Sequence, residues 1–594
     1  MNNSQRMKLL VTAGLVISVL TACGNNGEDS ANSNAAKNAD TAASNSEQAA
    51  SDTNASNSAA SNNSSTTAAT PDPLGKYAEP VTVTEVIGYN PPEDPRTPKG
   101  LTPDKNAYLK DLKDMMNIEV KYKYMVPGNQ AEQKFALAMA SGDLPDIMDV
   151  DQRTFEKLRK QGVLADLTEA YNQYASPTLK KYMESDGGFA MKAFSSDGKQ
   201  YGIPSFEDPF LSTQLMWIRK DWLDNLNLQP PKTMDDLEKV AEAFVKNDPD
   251  KNGANDTYGL ALQKNLFYWG FDTRGLFNGF GAYPSVGDGQ SAWVKGSDGT
   301  LVPGLIQPEV KTVLSRMQEW YKKGIIDKEF ALKDENKVSE DIVASKVGIS
   351  YGEWWYPNWP LNLNVDKDPK ANWIPLQIPS LTGPGKSLVP KLRGTRITVV
   401  NKAAKNPEAA IKMINFYFEM GKKQYIDKNQ AANGYVYNWF VPRIYNPSQI
   451  DTIYTEVNKA LDAKQTEITL DDDNYKVVAD VFKASNDFLS KNTSNASSGV
   501  NWGQYFSRAA KDGGWGLTRE LKEQQQYVSN EFYGVPTETQ VEKGGQLDKL
   551  MAESFTKIVM GGSIDDFDKF VASWKSLGGE QITKEVNDWY QSVK

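Results

Sequence analysis

Histidine is absent from this 594-residue chain, and cysteine occurs once, as Cys23. The first absence excludes Ser-His-Asp and Cys-His catalysis, HExxH zinc sites and any imidazole general base. The second excludes a disulfide within the chain. A basic excess is lacking too. With a net charge of −10 there is no surplus of cations to neutralise nucleic-acid phosphates or to adhere to an anionic membrane.

What is present is length and aromatic side chains. A chain this long exceeds one ordinary core, so two or more domains are expected, and 14 Trp, 26 Tyr and 22 Phe are ample to fill them. The single cysteine follows Arg6, Lys8 and the apolar run Leu9–Leu20, which is too short for a permanent bilayer span and reads as a signal peptide over residues 1–22. Leu20-Thr21-Ala22-Cys23 resembles the lipobox of bacterial lipoproteins, which implies diacylation of Cys23 and cleavage just before it. From Gly24 to Pro73 the composition is Asn, Ser, Ala and Thr with a few charges. Such a stretch cannot repay the entropy of ordering, and is expected to be a tether reaching roughly 40 Å. The expected location is the outer face of the cytoplasmic membrane, lipid-anchored.

Beyond the tether, short strands alternate with amphipathic helices. Pro80–Asn90 and Ile118–Val126 read as strands, Ala131, Phe135, Ala138 and Met139 mark a helix face ending at Gly142, and Pro145–Val150 returns as a buried strand. This order implies βαβ units and a mostly parallel sheet. Thr233 with Asp236 predicts a capping box over Leu237, Val240 and Phe244. Arg396–Asn401 reads as a strand leading to a helix with Asn406 as N-cap and Pro407 at its first position. Ser563 is expected to cap a helix bearing Phe567, Phe570, Val571 and Trp574. The class is α/β.

Six stretches carry a resemblance in the same order: Gln133–Ile147, Asp197–Pro204, Met216–Leu226, Val347–Leu361 ("VGISYGEWWYPNWPL"), Asn401–Phe418 and Gly561–Gly579. They are similar to the extracellular solute-binding proteins of bacterial carbohydrate importers, the family that includes maltose- and alginate-binding proteins. The resemblance implies two α/β lobes joined by hinge crossings, with a sugar held in the cleft between them. It implies lobe 1 over about 75–205 plus 395–535, and lobe 2 over 206–394 plus 536–594. It implies no catalysis. The partners it implies are an oligosaccharide and the permease subunits of an ABC importer, with the chain acting as a monomer. A peptide- or amino-acid-binding protein of the same architecture and a glycan sensor subunit remain alternatives. A glycoside hydrolase could work through two carboxylates without histidine, but the segment order is unlike one. Leu381–Ser387, "LTGPGKS", is not a P-loop, because Ser380 replaces its first glycine and Pro390 interrupts the following helix.

Sugars bind by stacking C–H faces on exposed aromatic rings while polar side chains take the hydroxyls. The resemblance places a stacking ring at Trp354 with Glu353 beside it; Trp355 is the alternative, and at least one of the pair is expected in the core. Trp269, Trp502 and Trp515 are glycine-flanked and could line the cleft. Asp149 or Asp151 at a strand end, Glu207 and Asp208 after the first crossing, and Arg393 complete the candidate contacts, and Arg393 would favour an acidic sugar. Separately, Asp248, Asp250, Asn252 and Asp256 fall at the first, third, fifth and ninth positions of an EF-hand-like loop, with the Ala254 carbonyl at the seventh. Gly259 stands where that loop would have its bidentate Glu. A structural Ca2+ there would steady a surface turn; the alternative is a solvated acidic turn.

Overall fold

A computed structural model describes residues 71–89, 102–287, 290–419, 442, 444–468, 475–491 and 498–594. Cys23, the signal segment and the tether lie outside them. Eleven strands organise the description: β1 (Val81–Tyr89), β2 (Ile118–Pro127), β3 (Ile147–Val150), β4 (Ile203–Glu207), β5 (Leu215–Arg219), β6 (Tyr258–Leu260), β7 (Val347–Gly352), β8 (Trp373–Gln377), β9 (Ser387–Pro390), β10 (Arg393–Val400) and β11 (Tyr527–Asn530).

β1 alternates, so Val81, Val83 and Ile87 face inward and bury, as does Glu85, whose carboxyl is pushed well above its ordinary range by burial. β1 pairs in parallel with β2 through the intervening helix Ala107–Met116. β10 lies antiparallel between β3 and β4. Around these strands Leu112, Met116, Ile118, Ile203, Ile411 and Ile414 form one core. The second sheet runs β8-β5-β7-β6, with β5 antiparallel to both β8 and β7, and β7 parallel to β6. β5 and β7 are buried at every residue, which explains why "LMWIR" and "VGISYG" are apolar runs without clean alternation. Its core joins Met216, Ile218, Trp222 and Phe244 to Phe555, Phe567, Phe570 and Trp574 from the C-terminal helices. The expectation of mostly parallel sheets is corrected here. Strands that carry the chain from one sheet to the other re-enter against their neighbours, so those pairs are antiparallel.

The chain crosses between the sheets from β4 to β5, and returns from β8 through β9 to β10, where Arg393 lies in register opposite Glu207. β9 also pairs in parallel with β11. The helices Gln449–Asp462, Tyr475–Leu489, Ser498–Gln504 and Gly514–Glu523 build a third apolar cluster around Val457, Val481 and Trp515. Through Trp502 and Leu521 they pack on Leu215 and Trp217 of β5. The sequence division put this stretch with the first lobe; its helices instead pack against the second sheet.

Candidate ligand-binding site

A cavity opens where the crossings meet the loops of the second sheet. Its walls come from five places: Gln214 on the first crossing, Trp269–Arg274 after β6, Val286 with Gly287 further along, Gly352–Tyr356 at the end of β7, and Arg393 at the start of β10. The sequence folds each loop there for a local reason. At Gly352 a Cβ would sit 1.9 Å from the Tyr356 ring, so only glycine lets the chain turn back over that tyrosine. In turn the Tyr356 hydroxyl accepts from the Phe271 amide at 2.6 Å, tying the two loops together. Gly270 takes a left-handed φ of 66°, and the buried Gln263 amide donates to the carbonyls of Tyr268, Trp269 and Gly270, so the loop presenting Trp269 is fixed from beneath.

Trp269 is 45% exposed, which is unusual for tryptophan. It stacks on Trp355 at 5.3 Å and 9°, and on Trp359 at 5.3 Å and 16°. Trp355 and Trp359 are themselves only 6.1 Å apart, too close for one to lie on each side of Trp269. Both therefore back the same face of Trp269, and neither covers the other face.

The floor is a charge network. Glu353 is 6% exposed and accepts from Arg274 at 3.2 Å, from both terminal nitrogens of Arg393 at 3.1 and 3.0 Å, and from the Trp355 indole at 3.1 Å. Burial alone would lift its carboxyl, but Arg393 and Arg274 hold it below the ordinary glutamate range. Arg274 also pairs with Asp272 at 2.8 Å, and Arg393 with Glu207 at 3.2 Å. Burial dominates at Asp272, whose carboxyl lies above its usual range despite Arg274.

The structure brings together Trp269, Glu353, Trp355, Arg393 and, through Arg393, Glu207. It separates the others. Trp354 turns away to pack on Trp515 at 5.0 Å, with Arg508 4.7 Å from its ring. Trp502 and Trp515 are core residues, at 6% and 1% exposure. These placements correct the stacking role assigned to Trp354 and the cleft positions assigned to Trp502 and Trp515: the chain turns at the end of β7, sending one of two adjacent indoles to each side. Asp149 pairs with Arg396 at 3.2 Å, and Asp151 caps the helix Gln152–Lys160. Asp208 is buried, caps the turn Pro209–Ser212 and has its carboxyl raised to about 6 by burial. Sequence reasoning missed Gln214, Asp272, Arg274 and Trp359. "WGFDTRG" carries no spacing that marks its charges; only the tertiary approach to Glu353 does.

The acidic loop lies apart from this cavity. The Asn252 side-chain amide donates to Asp250 at 2.8 Å and to Asp256 at 3.2 Å, while Asp248 accepts from the Asn252 and Gly253 amides. Burial and the neighbouring Asp248 and Asp256 raise the Asp250 carboxyl, and its buried Oδ1 has no partner among the described residues. A cation would relieve both conditions, so the donor set fits one in part. Gly259 cannot be replaced by the missing Glu, because its Cβ would lie 2.9 Å from Ala241. Among the described residues no three carboxylates stand in ligating geometry.

Two cores with crossings between them and an aromatic-walled cavity at the junction define a two-lobed α/β binding protein. Residues 99–424 match the family of bacterial extracellular solute-binding proteins, and the chain belongs to that family. It is a binding protein, not an enzyme. It is 28% identical to the polygalacturonan/rhamnogalacturonan-binding protein YtcQ of Bacillus subtilis (strain 168), over 83% of this chain and 89% of that one. Among solved structures it resembles the alginate-binding protein AlgQ2 without calcium ion, at a TM-score of 0.58 and 20% identity over 87% of this chain and 99% of the other. It also resembles the S. pneumoniae ABC-transporter substrate-binding protein FusA in complex with kestose, at a TM-score of 0.57 and 20% identity over 86% and 100%.

Proposed function

We propose that this protein captures an oligosaccharide in the cavity at the crossings, closes its lobes over it and delivers it to the permease subunits of an ABC importer. The observation that carries this reading is the uncovered face of Trp269, held flat by two further indoles beside a floor of hydrogen-bonding groups. The sugar-binding names of the relatives support it. The lobes we propose are 75–205 with 395–419, and 206–394 with 536–594, the helices of 449–523 counted with the second. Bending at β4–β5 and β9–β10 would bring them together. Diacylated Cys23 would hold the protein on the outer face of the membrane.

Calorimetric titration against an oligosaccharide panel tests the reading. Trp269→Ala is expected to weaken binding of any hit by up to about tenfold, because stacking on an aromatic face is worth about 0.5–1.5 kcal/mol, while leaving the melting temperature near that of the wild type. Undiminished affinity in this variant would remove Trp269 from the site. Binding of peptides but no saccharide would overturn the proposal.

We propose further that Asp248, Asp250, Asn252, Asp256 and the Ala254 carbonyl hold a structural Ca2+. Calcium should then raise the melting temperature by mass action, and Asp250→Ala should abolish that rise without changing sugar affinity. An equal calcium response in the variant would exclude this loop.

A further inference from the structure

Gln214 stands out among the residues lining the cavity. It is 1% exposed, yet among the described residues neither its side-chain oxygen nor its side-chain nitrogen has a hydrogen-bond partner. Only its backbone is tied down, the amide donating to Ser387 Oγ at 2.8 Å. A buried primary amide left unpaired is costly, and because Gln214 lines the cavity, a ligand atom that both donates and accepts would relieve that cost on reaching it. Hydroxyl groups do both; carboxylates only accept.

The charged groups around it are in the opposite condition. Arg274 is committed to Asp272, to Glu353 and to the Val286 carbonyl at 2.8 Å. Arg393 gives its Nε to Glu207 and both terminal nitrogens to Glu353. Three carboxylates thus face two guanidiniums, and the set carries one net negative charge. Arg508 pairs with Gln504 and Ser507 and stacks over Trp354 and Trp515, outside the lining of the cavity. An anionic sugar entering here would meet net negative charge, and guanidiniums whose charge is already matched by carboxylates.

Building on the reading of the cavity as a saccharide site, we propose that it takes an uncharged sugar residue, with the Gln214 amide bonding its hydroxyls and the two arginines serving as fixed floor rather than carboxylate hooks. The cavity therefore discriminates against uronates, unlike what a cleft with two arginines suggests at first sight.

The test uses the tether-free protein and a panel of neutral gluco-, galacto-, manno- and fructo-oligosaccharides together with oligogalacturonides and alginate oligomers, read by calorimetry. Each neutral hit is then compared with its own C6-oxidised form, so that one carboxylate per ring is the whole difference. The expected result is a neutral hit whose oxidised form binds at least about tenfold more weakly. Gln214→Leu, similar in size but without the amide, should weaken the neutral hit by about tenfold. Glu207→Gln, which removes a negative charge and releases one bond of Arg393, should narrow the gap between the neutral and oxidised forms. Binding of uronates alone, an oxidised form as tight as its parent, or a folded Gln214→Leu protein with unchanged affinity overturns the proposal while leaving the saccharide reading intact. Absence of binding by every saccharide overturns that reading and this one with it. Should Gln214→Leu fail to fold, the wild-type comparison of neutral and oxidised pairs decides alone.

Discussion

Glu353→Ala is expected to destabilise the fold by about 3–5 kcal/mol, the effect of removing one partner from a buried ion network. Glu353 gathers Arg274, Arg393 and the Trp355 indole, and its removal leaves four donors facing a cavity. Asp272 and Glu207 each still hold one arginine, but neither occupies the space between the two. The same network fixes a pH dependence. Because the arginines hold the Glu353 carboxyl below its ordinary value of 4.5, its contribution is full above that pH and is lost as pH falls through the lowered folded value. Urea unfolding of wild type and variant at pH 7 measures the loss. In a double variant with Arg393→Met, part of it should return, because one of the unpaired guanidiniums is gone. A loss below about 1 kcal/mol would show that water enters the cavity freely enough to solvate both arginines, and that the floor is not rigid.

The legible parts of the fold are those set by short-range rules. The Thr233–Asp236 capping box forms as expected, with both reciprocal bonds at 3.2 Å, because its partners are three residues apart. Gly142 ends its helix in the left-handed region, as a glycine there should. Boundaries drift where two caps compete: Pro407, not Asn406, takes the N-cap position, and Asp565 displaces Ser563, which bonds the Asp565 amide instead. The packing of 449–523 was not legible. An amphipathic helix states that it has an apolar face but not which of two sheets will cover it. The site divides in the same way. Tryptophans beside glycines are visible as types, so Trp269 could be named, but the same criterion also named Trp502 and Trp515, which are buried. Whether Trp354 or its neighbour faces the cavity depends on the turn after β7; Arg274 matters only because the loop after β6 brings it to Glu353, and Gln214 only because the first crossing brings it to the same cavity.

Asp208→Asn is expected to stabilise the protein by up to about 3 kcal/mol at pH 7 and to leave it unchanged at pH 3. Burial raises the Asp208 carboxyl from 3.8 to about 6, the Phe210 amide and the nearby Lys522 and Arg393 only partly opposing it, while Asp451 adds to the rise. A group whose folded value lies above its unfolded value is favoured when protonated. Below about pH 4 both states carry the proton and no penalty exists. Between about 4 and 6 the unfolded chain ionises first, and the fold loses stability as pH rises. Above 6 the penalty is constant at about 3 kcal/mol, the free-energy equivalent of that rise. Asparagine keeps the cap, since its side-chain oxygen can still accept from the Phe210 amide, and it carries no charge to desolvate. Melting temperatures of both proteins from pH 3 to 8 should therefore converge at the acid end and separate above pH 6. A constant offset at every pH would mean the substitution acts by packing. A variant less stable than wild type at pH 7 would mean that Lys522 and Arg393 hold the carboxylate ionised at little cost. The distinction bears on function, because Asp208 sits on the first crossing between Glu207 and Gln214. An ionised carboxylate held dry at the pivot favours any conformer that wets it, so removing the charge should tilt the protein toward the arrangement described here and raise ligand affinity if that arrangement is the binding form.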